Sequence, residues 1–319
     1  MSAAILEVDL LRFERCGEAE RQAVVDGVMR SLATGFVYTT SDLPEALLDE
    51  AYAMLAAFFA LPSGSKQAFC VAGSSGQTGY TGPLIERAEA SDLADWKEML
   101  NWSLPLASAH PLRRRFAALY PEQILPEAVV PGITAVLERF HRILLELQRR
   151  FLRVIAIGMG CHEAYFEAMV GEGPTLTRAI HYPPMAEAPR GGHVWAAAHG
   201  DINLITALPR ATAAGLEVLV EGQWQAASPP PGRVIINTGL MLERLSNGLI
   251  PAGWHRVVAA ADQRGARLSV VQFCHPTPWT VLAPVPSCSG PDRPARWPGM
   301  LAADALEEVL YRIGLLEGD

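Results

Sequence analysis

From Thr175 onward the chain is cut into short β-type runs, and that texture limits its possible architectures more than any other feature. The runs cover residues 175–180, 204–207, 216–220, 233–237, 255–259 and 269–274. Turn formers separate them: Pro183-Pro184, Gly191-Gly192, Glu221-Gly222, Pro229-Pro230-Pro231-Gly232 and Ser246-Asn247-Gly248. Many short strands with such punctuation predict two packed sheets, a sandwich or jelly roll, because one short strand buries too little by itself.

The first half reads differently. Residues 5–10 alternate as an edge strand would, 18–32 repeat Ala23, Val24, Val28 and Leu32 at helical spacing, and 35–39 read as a second strand. Ser41-Asp42-Leu43-Pro44-Glu45 opens a helix that runs to Leu61, where Pro62 and Gly64 stop it. Residues 73–82 are rich in Gly, Ser and Thr and predict a loop whose Gly79-Tyr80 faces a pocket. A long helix over 133–157 carries the apolar stripe Val136, Leu137, Phe140, Leu144, Leu147, Phe151, Val154 and Ile155. A last helix, 303–316, is expected on the outside of the sheets.

Composition narrows the function. With 319 residues, half of them hydrophobic, the chain can bury a large core. A formal net charge of -8 disfavours nucleic acid, and Arg113-Arg114-Arg115 is too short to offset it; a solvated helix face is the expectation there. No apolar run approaches the ~20 residues of a membrane span, and the N-terminus carries no basic-then-apolar signal, so a cytoplasmic protein is expected. The five cysteines (Cys16, Cys70, Cys161, Cys274, Cys288) are scattered, with no Cys-x-x-Cys pair, which argues against a disulfide framework or zinc-thiolate site.

The chemistry centres on His199-Gly200-Asp201 and His255. In a strand, His199 and Asp201 share a face, and sheet pairing can bring His255 beside them. Two neutral imidazoles and a carboxylate on one side of a metal leave roughly three positions open, which suits non-haem Fe(II); zinc is the competing metal. By itself, His-x-Asp is a frequent chance pair.

The surrounding sequence adds to it. The run His199-x-Asp201 is followed by Leu204-Ile205-Thr206, Gly215-Leu216-x-Val218, Gly222-x-Trp224 and Pro231-Gly232. Then come Asn237-x-Gly239-x-Met241-Leu242-x-Arg244-Leu245-x-Asn247-Gly248, Pro251, His255-Arg256-Val257 and Arg267-x-Ser269. Upstream stand Gly35-Phe36, Phe58-Phe59-x-Leu61-Pro62, Lys66, Gly79-Tyr80, Asp95-Trp96-Lys97-Glu98 and Arg178-x-x-x-Tyr182-Pro183. In these features the chain resembles the isopenicillin N synthase-like Fe(II)/2-oxoglutarate-dependent oxygenases, over nearly its whole length.

The resemblance implies an α+β protein: a double-stranded β-helix (jelly-roll) core flanked by helices, with an N-terminal mixed α/β region at 1–120 packed on a core at 121–319. It implies Fe(II) held by His199, Asp201 and His255, 2-oxoglutarate as co-substrate, and O2. Arg267 and Ser269 then read as a clamp for a carboxylate, since a guanidinium binds one bidentately and a hydroxyl two residues along a strand points the same way. Tyr182 matches a position whose hydroxyl reaches the same co-substrate, or is a sheet tyrosine. In isopenicillin N synthase itself the Arg-x-Ser pair holds the substrate's own carboxylate, so the alternatives are 2-oxoglutarate-independent oxidative cyclisation or a non-catalytic jelly-roll binding protein. The expected reaction is hydroxylation of an unactivated C–H bond of a small metabolite, amino-acid-like or a natural-product intermediate, with desaturation or ring closure as variants. Candidate substrate-facing residues are Tyr80, Arg190, His193, Trp195, Phe273 and His275. Two positions depart from the family pattern: Leu240 stands where Gly-Asp-Met-Leu is common, so hydrogen bonding near the ligands must differ, and Gly200 replaces a larger residue inside His-x-Asp.

Overall fold

Alternation along the strands decides how the molecule is layered. In the computed structural model, which describes residues 4–74, 76–87, 93–189 and 191–312, the strands are β1 (Glu7–Val8), β2 (Phe36–Thr39), β3 (Gly79–Thr81), β4 (Glu98–Trp102), β5 (Leu176–Tyr182) and β6 (Ala196–His199). They continue with β7 (Ile205–Leu208), β8 (Leu216–Val220), β9 (Gln223–Ala226), β10 (Val234–Thr238), β11 (His255–Val257) and β12 (Arg267–Cys274). The larger sheet runs β1-β2-β10-β7-β12-β5-β4-β3 and the smaller β6-β11-β8-β9. Every pairing is antiparallel except β1 with β2.

Side chains of the larger sheet sort by parity. Val37, Leu100, Trp102, Ala179, Ile205, Ala207, Val234, Ile236, Leu268 and Val270 point to one side and pack on helices. Phe36, Tyr38, Met99, Ile180, Tyr182, Ile235 and Val271 point to the other, where they meet Ala196, Leu216, Val218, Val220 and Val257 of the smaller sheet. The helix Ile133–Gly158 backs the first side along its apolar stripe. It is also tied there by polar bonds: Gln148 Nε2 donates to the Ile205 and Gln272 carbonyls, both at 3.0 Å. This is the mixed helix and double-sheet architecture that the β-run texture predicts, and four strands of the first 120 residues belong to its larger sheet.

Local differences have local causes. Only Glu7–Val8 of the 5–10 run is strand, because Asp9 caps a helix over Leu10–Arg15 by accepting from Arg12 N at 3.0 Å. The expected loop at 73–82 contains β3, which pairs with β4, itself unforeseen behind a charged run. Strand β9 also goes beyond the expectation. The final helix, Ala302–Arg312, does not simply cover the outside: Leu306, Val309 and Leu310 line the cavity between the sheets. Among the described residues, no helix is long and apolar enough to cross a membrane.

Candidate metal and carboxylate site

The cavity between the sheets holds about 500 Å³, within the usual range for small-molecule sites. At its base, β6 and β11 pair with His199 opposite His255, which sets the two rings 4.3 Å apart between centroids. Strand β6 ends at His199, so Asp201 reaches the same place from the turn that follows rather than by strand alternation. Asp201 Oδ1 lies 3.9 Å from Nε2 of each histidine, and the three atoms all fall within 4.8 Å of one another.

The surroundings leave these atoms free to bind. His199 Nδ1 donates to the Ala197 carbonyl (2.8 Å) and His255 Nδ1 to the Gly253 carbonyl (3.0 Å), so in each ring Nε2 is the nitrogen that faces the site. Burial, aided by His255 nearby, brings the His199 pKa down to about 4, so its imidazole is neutral near pH 7. Burial alone would raise the Asp201 carboxyl; the neighbouring histidines and hydrogen bonds from Thr206 and Asn237 more than reverse it. Thr206 Oγ1 (2.5 Å) and Asn237 Nδ2 (2.9 Å) both donate to Oδ2 and leave Oδ1 for another partner. Leu240 holds the turn through its backbone N–H, which donates to the Asp201 carbonyl (2.8 Å). At Gly200 an added Cβ would meet Trp254 at an ordinary 3.6 Å, so no close approach demands glycine. This donor set, two imidazole nitrogens and one carboxylate oxygen, fits a divalent ion with open positions.

Arg267 and Ser269 project from β12 into the same cavity and are 2% and 1% exposed. Arg267 Nη1 donates to Ser269 Oγ (2.9 Å), Nε donates to the Ala213 carbonyl (3.1 Å), and the guanidinium lies 5.0 Å from the Tyr182 ring centre. Among the described residues no carboxylate pairs with it, although a desolvated guanidinium ordinarily requires one.

The predicted substrate-facing residues divide. Phe273 and His275 line the cavity; His275 is buried, its Nδ1 has no hydrogen-bond partner among the described residues, and burial brings its pKa down to about 4. Tyr80, His193 and Trp195 do not line it. Tyr80 faces the helices because β3 pairs it with Leu100, and its hydroxyl donates to Glu98. His193 is tied to the Ala94 carbonyl (2.8 Å), and Trp195 is a fully buried core residue whose Nε1 donates to the Pro183 carbonyl (2.8 Å). Arg190 lies outside the described residues. Glu86, Asp95, Lys97, Arg178 and Asn237 are not assigned to the site by the sequence reading, yet all stand in the wall. The Asp95-x-Lys97 and Arg178 motifs were the available signal.

The profile of the 2OG-Fe(II) oxygenase superfamily matches residues 174–276, and that of the N-terminal region named for the non-haem dioxygenase in morphine synthesis matches 8–127. A leucoanthocyanidin dioxygenase of Malus domestica is 28% identical over 308 residues, covering 93% of this chain and 78% of the relative. Gibberellin 20 oxidase 2 of Oryza sativa is 30% identical over 291 residues, covering 90% and 71%. Among solved structures, a protein of Caulobacter crescentus assigned to the 2OG-Fe(II) oxygenase family aligns with a TM-score of 0.84 at 30% identity, covering 98% of this chain and 100% of that one. A full-length Neurospora crassa protein solved in complex with alpha-KG and thymine shares the fold: TM-score 0.83, 23% identity, 98% and 99% covered.

Proposed function

We propose a division of work within the cavity from one premise: the chain belongs to the 2OG-Fe(II) oxygenase superfamily and is a non-haem iron, 2-oxoglutarate-dependent dioxygenase. His199 Nε2, Asp201 Oδ1 and His255 Nε2 hold Fe(II). Arg267 and Ser269 hold a carboxylate of 2-oxoglutarate, with Tyr182 beside it. The observation that carries this assignment is the buried Arg267 guanidinium, which lacks a carboxylate partner among the described residues and shares one cavity with the three candidate ligands.

Bound iron supplies oxygen activation coupled to conversion of 2-oxoglutarate to succinate and CO2. The protein's own contribution is placement. The two Nδ1–H bonds to backbone carbonyls aim both Nε2 atoms, and Thr206 with Asn237 turns Oδ1 toward them. Ile180, opposite Ser269 on β5, together with Leu208 and Val271, gives the cavity that holds Arg267 an apolar wall, which strengthens its hold on an anion by excluding water. The substrate is a small metabolite, amino-acid-like or a natural-product intermediate, seated near Phe273 and His275. One of its unactivated C–H bonds is hydroxylated, with desaturation or ring closure as variants.

Reconstituted with Fe(II) without oxygen, the protein should release succinate from 2-oxoglutarate once O2 is admitted. Complete absence of succinate, with or without a panel of small-metabolite supplements, would sink the reading.

A further inference from the structure

Strand β6 carries His199 and, among the described residues, is an edge strand whose only strand partner is β11. Its outer edge needs other partners, since unpaired backbone groups there are costly once buried. The segment before β4 provides them. Trp96 N–H donates to the Val194 carbonyl (2.9 Å), and Ala197 N–H donates to Asp95 Oδ1 (3.0 Å). The carbonyl of Ala197 is the group that accepts His199 Nδ1–H (2.8 Å).

Asp95 is itself held. Lys97 Nζ donates to Asp95 Oδ2 (2.9 Å) and pairs with Glu86 Oε2 (3.0 Å), while Arg178 Nη1 donates to Glu86 Oε1 (3.0 Å). Arg178 Nε donates to Asn101 Oδ1 (2.7 Å), which fastens the series to β4. Two cations and two anions therefore balance in the cavity wall, and Asp95, Glu86 and Lys97 are less than a tenth exposed. Desolvating four charges is expensive, and it is tolerable only where each has its partners in place.

The other two candidate ligands need no such support. His255 sits on β11, flanked by strands on both sides, and Asp201 is fixed by Thr206 and Asn237. Resting on the metal reading above, we propose that Asp95, held by Lys97, Glu86 and Arg178, is a positioning residue that fixes β6 from its outer edge and so sets the direction of His199 Nε2.

The test is titration of the full chain with Co(II) alone, without 2-oxoglutarate or substrate, so that a role of the same wall in substrate binding does not enter. Asp95→Ala should weaken Co(II) binding roughly 10–100-fold, as loss of an outer partner of a metal ligand typically does, and change the visible spectrum of the saturated protein. Asp95→Asn keeps an oxygen for Ala197 N–H and should stay within about threefold of the parent. Parental affinity and spectrum in Asp95→Ala would overturn the proposal. So would an Asp95→Asn as weak as Asp95→Ala, because the effect would then lie in the charge and not in the bond to Ala197. If Asp95→Ala does not fold, Ala197→Pro, which deletes the donor and spares the four charges, must show the loss; parental affinity there overturns the proposal. A parent chain that binds no Co(II), or a His199→Ala variant that binds it fully, overturns the metal reading instead, which separates the two failures.

Discussion

Lys97 and Glu98 are neighbours in the chain and stand on opposite sides of one barrel wall. Lys97 faces the cavity, among Asp95, Glu86 and Arg178. Glu98 faces the helices, where Lys66 Nζ (2.7 Å), His181 Nδ1 (2.8 Å) and the Tyr80 hydroxyl all donate to its carboxylate, and Phe59 stacks on His181. Both groups are buried ionic networks springing from Asp95-Trp96-Lys97-Glu98. They differ in what lies beyond them. The inner network borders the cavity that a ligand would occupy, whereas the outer one lies between sheet and helices, away from it. Inner-face substitutions should therefore register in ligand binding, and outer-face substitutions in stability.

Asp201→Ala tests the inner face most severely. Losing the carboxylate ligand should reduce Fe(II) or Co(II) affinity by more than the roughly 10–100-fold assigned to outer partners. Its metal-free unfolding midpoint should move far less than that of an outer-face variant. Calorimetric titration alongside thermal unfolding reads both, and an unchanged metal affinity would remove Asp201 from the site.

Glu98→Ala is the outer counterpart. Breaking a buried pair leaves the Lys66 ammonium without its counter-charge, a loss of about 3–5 kcal/mol. Metal affinity per folded molecule should stay near the parent's. The same network gives a pH dependence of known sign. Burial alone would raise the Glu98 carboxyl, but hydrogen bonds from His181, Lys66 and Tyr80 more than reverse this and hold its pKa below the ordinary value. A depressed folded-state pKa contributes stability that is present above the unfolded value, about 4.3, and is lost as pH falls through the folded one. The parent should accordingly lose stability relative to Glu98→Ala on acidification below about pH 4.3. A gap in unfolding free energy that stays constant across that range would show that the network's charge contributes nothing.

Arg267→Ala returns to the cavity. A buried carboxylate deprived of its guanidinium loses about 2–5 kcal/mol of binding, a rise of at least roughly 30-fold in the 2-oxoglutarate needed for half-maximal succinate release. Metal affinity measured without 2-oxoglutarate should not follow. An unchanged 2-oxoglutarate requirement would move the clamp elsewhere.

The sequence disclosed the inner face unevenly, for physical reasons. His199, Asp201 and His255 stood out because metal ligation restricts residue type and because motifs of fixed order surround them. Arg267 and Ser269 were legible through the family resemblance, with strand parity putting both side chains on one face. The β-run texture likewise foretold two sheets. Arg178 and Glu86 were not legible as partners, since 92 positions separate them and no local pattern links them. Asp201 comes beside the two histidines from a turn, so the alternation argument brought it there by a route the chain does not take. Leu306 and Leu310 entered the cavity wall through the docking of a helix, which no local pattern encodes.

Tyr80→Phe makes the smallest and most discriminating probe of the two faces. Gly79-Tyr80 in a glycine-rich stretch reads as a pocket loop, but its pairing register puts the ring on the helix side of β3, over Phe58 and near Lys66. Removing the hydroxyl takes one of the three donor groups from Glu98 and leaves Lys66 and His181 in place. A hydrogen bond to a charged acceptor is worth about 1.5–3 kcal/mol, and the remaining donors should hold the loss near the lower figure. For a chain of this size that is a fall of no more than a few degrees in the unfolding midpoint. Metal affinity and the 2-oxoglutarate requirement should match the parent's, because nothing on the cavity side has changed. A Tyr80→Phe protein of parental stability with an altered 2-oxoglutarate requirement would reverse the assignment of faces, and Lys97 and Glu98 would have to exchange roles.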